Sequence, residues 1–394
     1  MKPIVFWCSL LVIAYVVVES IFLGAFLISH KRRIVSYLPV RSKTVTPQHA
    51  TKIRALLEGC ERYITYSAQL GWTVKPNEAG TLYHSNSQGV RSHREYTPKP
   101  APHVTCIATF GDSFTHSDGV HNHETWQAAL SRLDERLEVI NFGVPSFGMD
   151  QAFLRFQRDG HVYRYHIVFI GFMTENIFRH VNRYRPFYSP KTGLPLSKPR
   201  FVIENQALTL IQNPIATRDS YQGLLDHPAH LLPQLGLNDF YYQHKYHQGL
   251  FDFLPSIRYI KAISYRFFPW GGYAKVIQND RYREDSEAYQ ITLKLFDTFV
   301  EGVQSSHMLP VIIVFPYKKD VQTYWRSNHK SYTLLFEYFD QKGYRYIDMM
   351  DAFELAAQDE RPKGMFKGAH YSPDGNQRVA QTMLQYLQAQ QLIR

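Results

Sequence analysis

The sequence predicts a three-layer α/β/α domain on a parallel sheet, carried behind an N-terminal transmembrane helix and interrupted by a large insertion. Three observations predict it. From residue 105 onward, apolar runs of strand length alternate with single helical stretches, the rhythm of a parallel sheet covered on both faces. Residues 4–29 form an apolar run with one charge, Glu19. Residues 180–280 break the alternation and are rich in Pro, Tyr, Phe, His and Asn, as expected of an inserted lid or substrate wall.

The elements follow in order. The 4–29 run is longer than a signal-peptide core and has no Ala-x-Ala site, so it reads as a membrane anchor. Residues 30–97 read as a linker and N-terminal helical extension. Its link spans 34–46, and its helix starts at Thr46-Pro47, with Thr as N-cap and Pro in the first turn. The main domain spans 98–394, opened by the Pro-rich boundary 98–104. Strands are expected at 105–110, 138–142, 166–172, 310–315 and 344–347. Helices are expected near 126–137, 149–159, 284–304, 330–342 and 376–392, from apolar residues at helical spacing.

Composition narrows the function. A formal net charge of +10 suits an anionic surface or polymer, but the Lys and Arg residues are scattered. No zinc-finger spacing, RNA-recognition signature or basic helix occurs, so no nucleic-acid partner is expected. Three cysteines, Cys8, Cys60 and Cys106, support neither a disulfide framework nor a cysteine metal site. No Walker loop or dinucleotide fingerprint occurs, and no cofactor is expected. His116, Asp118, His121 and His123 have a spacing that metal ligands use, but without a second cluster they read as polar loop, and no metal is expected.

The chemistry gathers where the expected strands end, the place ligands occupy in open parallel sheets. Ser113 follows the first core strand in "TFGDSF", and Gly143 and Ser146 follow the second in "NFGVPSFG". Asn176 follows the third in "GFMTEN", and His370 lies in "GAHYSPDGN" before the last helix. A hydroxyl, a backbone N–H, a carboxamide and an imidazole at one edge are the parts that acyl transfer needs. The structural alternatives are a turn for Ser113 and His370, a helix cap for Asn176, and a tight turn for Gly143.

These blocks, in this order, resemble those of the SGNH (GDSL-like) hydrolase superfamily over roughly 105–180 and 285–394. The resemblance implies Ser113 as nucleophile, His370 as base, and Ser113, Gly143 and Asn176 as the oxyanion hole. It implies a serine esterase working through an acyl-enzyme, or an acyltransferase. More narrowly, the chain resembles bacterial membrane-attached members linked to surface-polysaccharide synthesis. That implies O-acyl (O-acetyl) groups of carbohydrate or exopolysaccharide as substrate, polysaccharide-synthesis proteins as partners, and single-pass attachment to the bacterial inner membrane. A lipid esterase and an inactive polysaccharide-binding member are the alternatives. His30-Lys31-Arg32-Arg33 favours a cytoplasmic body, whereas work on exported glycans requires the other side. Two departures stand out. Asn176 is displaced from the usual Gly-x-Asn-Asp. Lys367 stands where the family places an Asp three residues before the His, which leaves Asp348, Asp351 and Glu175 as candidate acids.

Overall fold

The computed structural model describes residues 2–32, 34, 43–246, 248–267, 275–354 and 364–393. Arg33, most of the 34–46 link and residues 268–274 of the insertion lie outside them.

Five strands build the central sheet: β1 (Thr105–Gly111), β2 (Leu137–Gly143), β3 (Ile167–Met173), β4 (Leu309–Phe315) and β5 (Tyr346–Asp348). They pair in the order β5-β4-β3-β1-β2, every pair parallel. All of β3, IVFIGFM, is buried, as a strand covered on both faces requires. The chain winds outward from β1 in one direction to reach β2, then in the other to reach β3, β4 and β5. The carboxyl ends of β1 and β3 therefore flank a topological switch point, where open α/β sheets bind ligands.

The helices include α1 (Lys2–Lys31), α2 (Pro47–Leu57), α3 (Trp126–Leu133), α4 (Met149–Asp159), α5 (Pro255–Phe267), α6 (Glu287–Ser305), α7 (Thr333–Lys342) and α8 (Pro373–Ala389). Helices α4 and α6 cover one face, where Phe156 meets Phe110 and Phe299; α3 and α8 pack together on the other, where Trp126 meets Phe315. Helix α8 begins at Pro373, three residues before its expected start. Ser372 caps it by accepting from Gly375 N–H at 3.1 Å, and Pro373 fills the first turn. Pro3–Lys31 is long and apolar enough to cross a membrane, and it stands clear of the folded body along most of its length.

The extension before β1 is more than a linker and a helix. Strands Ile64–Ser67 and Gly71–Val74 form an antiparallel hairpin whose Trp72 is buried against Phe147. Arg155 of α4 donates to the carbonyls of Phe142 and Gly89 at 2.9 and 2.8 Å, tying the loop after this hairpin to the end of β2. The insertion contributes a second hairpin, Arg200–Glu204 with Ala207–Ile211, and the helix α5.

Candidate active site

Strand β1 ends in a turn that presents Ser113. Asp112 caps the short helix Ser113–His116, its Oδ1 accepting from Phe114 N–H at 2.8 Å. As the first helical residue, Ser113 has a backbone N–H with no partner inside the helix. Asp112 is fully buried, which pushes its carboxyl up to about 6, while Arg179 opposes the shift from 3.8 Å.

His370 arrives from the other end of the chain. It pairs with Lys367 across a two-strand hairpin, Phe366–Lys367 with His370–Tyr371. The Tyr371 hydroxyl donates to Pro316 O at 2.7 Å, pinning this hairpin just beyond β4. The result is a hydrogen bond of 2.9 Å between Ser113 Oγ and His370 Nε2, with Ser113 only 5 % exposed.

The structure revises the donor assigned to the end of β2. The Gly143 N–H donates to Asn141 Oδ1 at 2.9 Å, so it is not free to meet an oxyanion. Gly143 instead permits a close approach, since a Cβ there would lie 2.2 Å from His116 N. The next turn offers a better donor. Val144-Pro145-Ser146-Phe147 is a type II turn closed by Phe147 N–H to Val144 O at 3.3 Å, with Ser146 at φ 66°. Trp72 Nε1 donates to Pro145 O at 3.0 Å, so the trans peptide aims the Ser146 N–H away from Trp72, and among the described residues it has no partner. Asn176 is fully buried as the first residue of the helix Asn176–Arg179, after Glu175 in the cap position. Its amide lies near Asp112 and helps hold that carboxyl down, yet neither amide atom completes a hydrogen bond.

The candidate acids separate clearly. Asp348 is held by Lys330 at 2.8 Å and by Met350 N–H at 3.0 Å. Asp351, pushed up to about 6 by burial and by Asp348, belongs to that same cluster. The carboxylates whose charge reaches His370 are Asp118 first and Glu175 second. Burial lowers the His370 imidazole below its usual value and Arg179 lowers it further, against the upward pull of those two. Lys367 is exposed and is not among the charges acting on the ring.

Asp118, weighed in the sequence only as a metal ligand, sits in the Ser113 turn, its N–H donating to Ser113 O at 2.9 Å. Its Oδ1 is 2.5 Å from Nδ1 of buried His116, whose Nε2 meets the Tyr63 hydroxyl at 2.8 Å. Burial keeps the His116 ring neutral, so it donates to Asp118 through Nδ1–H and accepts from Tyr63 at Nε2. Both ring nitrogens are thus engaged within the protein. Arg91 braces the turn from behind, donating to Ser117 O at 2.8 Å and Val120 O at 2.5 Å. Nothing in the local spacing links Tyr63 or Arg91 to this turn; only the folded extension brings them there.

No family profile and no curated protein matches the sequence. Solved structures similar to the chain include a member of the lipolytic G-D-S-L family from Veillonella parvula DSM 2008. It is 11 % identical with a TM-score of 0.36, covering 72 % of this chain and 97 % of that one. Another is LAE5, an α/β hydrolase enzyme from the metagenome of Lake Arreo, Spain. It is 14 % identical with a TM-score of 0.37, covering 71 % of this chain and 94 % of that one. The fold described above is mixed α/β on a five-stranded parallel sheet.

A surface concavity of about 560 Å³ lies away from the Ser113–His370 pair. Lys99, His103, His161, Arg164, His166 and His307 line it, all near the amino ends of β1, β3 and β4. Nearer the dyad, Arg185 is buried with its guanidinium over the Tyr188 ring, 5.1 Å from the centroid. Among the described residues its side chain has no hydrogen bond or ion pair, although Arg179, Glu175 and Asp112 lie within electrostatic reach.

Two expectations follow from this geometry. Gly143→Ala should lower the melting temperature strongly, because backbone at His116 must move, whereas Ser146→Gly should stabilise by about 1 kcal/mol by relieving a left-handed non-glycine residue. Thermal melts of both variants check this, and an unperturbed Gly143→Ala would remove the close-approach argument. The second concerns pH. A base must be neutral, so kcat/KM on a chromogenic ester should hold steady at and above the usual histidine value of about 6.5 and fall on an acid limb below it. Asp118→Asn removes the charge that raises the His370 pKa. The limb should then move to lower pH, and the plateau should drop by up to about 10⁴ if Asp118 steadies the imidazolium. An unmoved limb would acquit Asp118.

Proposed function

We propose that this chain is a membrane-anchored serine acyl-ester hydrolase that removes or transfers O-acyl groups on carbohydrate. The observation that carries the reading is the 2.9 Å bond from Ser113 Oγ to His370 Nε2 at the switch point of a parallel sheet. His370 Nε2 takes the hydroxyl proton as Ser113 Oγ bonds to the acyl carbon. The proton then passes to the departing alcohol oxygen as the C–O bond breaks, leaving an acyl-enzyme. Water completes hydrolysis by the same path in reverse, and a sugar hydroxyl completes transfer. The N–H groups of Ser113 and Ser146 and the amide of Asn176 serve as donors to the oxyanion. Asp118, with His116 behind it, takes the place of the family acid that Lys367 displaces.

Helix α1 supports anchoring by its length and composition. The buried Arg185, whose side chain has no hydrogen bond or ion pair among the described residues, favours an anionic group on the substrate. Carbohydrate is the preferred class because the sequence blocks resemble those of membrane-attached members linked to surface-polysaccharide synthesis.

Incubation with a fluorophosphonate, followed by intact-mass measurement, should give a single adduct that Ser113→Ala abolishes without loss of folding. Absence of any adduct on the intact chain would favour a binding protein that has lost its activity. Asn176→Ala should cost about 2.7–4 kcal/mol in the barrier if the amide meets the oxyanion. A lower melting temperature with unchanged turnover would make the residue purely structural.

A further inference from the structure

The insertion carries a segment built inside-out relative to a water-soluble loop. Helix α5 packs along the carboxyl half of α1, running in the same direction. Glu19, the single charge of the apolar run, accepts hydrogen bonds from Ser256 N–H at 2.9 Å and Ser256 Oγ at 2.6 Å. Ser256 lies in the first turn of α5, where the amino-end dipole also favours a carboxylate. Farther along, the rings of Phe22 and Tyr259 lie 6.1 Å apart, and the Ser29 and Tyr259 hydroxyls meet at 3.3 Å.

The turn leading into α5 presents its apolar residues outward. Leu250 is 85 % exposed, Phe253 65 % and Phe251 60 %, and Ile260 of α5 is also exposed. Asp252, Arg258 and Lys261 are tied to one another within the segment, with the Lys261 side chain still 42 % exposed. The buried Asp252 carboxylate pairs with Lys261, and Arg258 Nε donates to Asp252 O at 2.5 Å. Satisfying charged and backbone groups internally while presenting Leu and Phe outward is the requirement that hydrocarbon imposes. The position fits as well. From Glu19 to Lys31 the α1 axis rises about 18 Å at 1.5 Å per residue, within a hydrocarbon core about 30 Å thick. Lys31 and Arg32 then mark the interface, and the Leu250–Phe253 turn lies at the deep end of α5.

We propose that residues 249–267 enter the hydrocarbon region of the bilayer beside α1, with Leu250, Phe251 and Phe253 at the inserted tip and Glu19 bound to Ser256 as the seam between the two helices. This rests on reading α1 as a membrane anchor. The insertion is then fastened to the bilayer at a second point, so the α/β domain is held at the membrane surface in one orientation rather than trailing on the link alone.

The test uses the full-length protein in phosphatidylcholine–phosphatidylglycerol vesicles, with Cys60→Ser as background. A bimane label on native Cys8 reports on α1. In a Cys8→Ser, Cys60→Ser chain, Phe251→Cys and Leu250→Cys report on the tip, and Glu337→Cys reports on an exposed site in α7. Labels at 250 and 251 should lose fluorescence to acyl-chain nitroxide lipids as the Cys8 label does and resist iodide, whereas the label at 337 should do the opposite. Adding Glu19→Leu should weaken lipid quenching at 251 while Cys8, labelled in a parallel chain, stays quenched. Tip labels quenched by iodide as fully as the label at 337, with Cys8 still quenched by lipid, overturn the proposal and leave the anchor standing. Tip labels shielded from both quenchers indicate a protein contact and also overturn it. If the Cys8 label escapes lipid quenching too, the anchor reading fails together with the proposal.

Discussion

The site depends on one close approach. The helix that presents Ser113 lies directly on the end of β2, and it can do so only because position 143 has no side chain. With that contact in place, the β1 turn is held against its neighbour in the sheet. Ser113 then points across the switch point toward the His370 hairpin, which Tyr371 pins just beyond β4. The bond to His370 closes this arrangement between residues at opposite ends of the domain, and Tyr371 on Pro316 keeps the imidazole at the right height. Rigid strands thus fix the separation, and short turns aim the reacting atoms.

Electrostatics then sets how the dyad works. Burial disfavours the charged imidazole, which suits a base that must begin neutral. The same burial makes the imidazolium formed during reaction expensive unless a negative charge is near. Asp118 supplies the leading one. It belongs to the nucleophile's own turn, and His116, Tyr63 and Arg91 hold that turn in shape. Ser113 and Asp118 therefore belong to one braced turn.

The N-terminal extension has two connected roles. Its hairpin and the following loop close over the ends of β1 and β2 and supply Tyr63, Trp72 and Arg91 to the turns that carry Ser113, Asp118 and Ser146. The buried Arg91 donates its hydrogen bonds mainly to backbone carbonyls of one loop, fixing the path of that loop rather than a charge pair. Helix α1 meets the insertion through Glu19 and Ser256. Segments on both sides of the core are thereby coupled to the apolar N-terminus.

The sequence by itself determined the alternation of strands and helices, the apolar N-terminal run and the edge of the sheet at which Ser113, Asn176 and His370 gather. These are local properties, since apolar period, turn residues and caps are written in neighbouring positions. Element ends were less legible: α8 starts three residues early because Ser372-Pro373 caps it, a signal as readable as the Thr46-Pro47 start of α2. Only the tertiary structure decided which N–H is free, because Asn141 claims that of Gly143 through a side-chain bond that no motif spacing records. It also separated the candidate carboxylates. Charge acts through space, and Asp118, some 250 positions from His370 in the chain, is the carboxylate that acts on it most strongly, while Asp348 and Asp351 pack around Lys330.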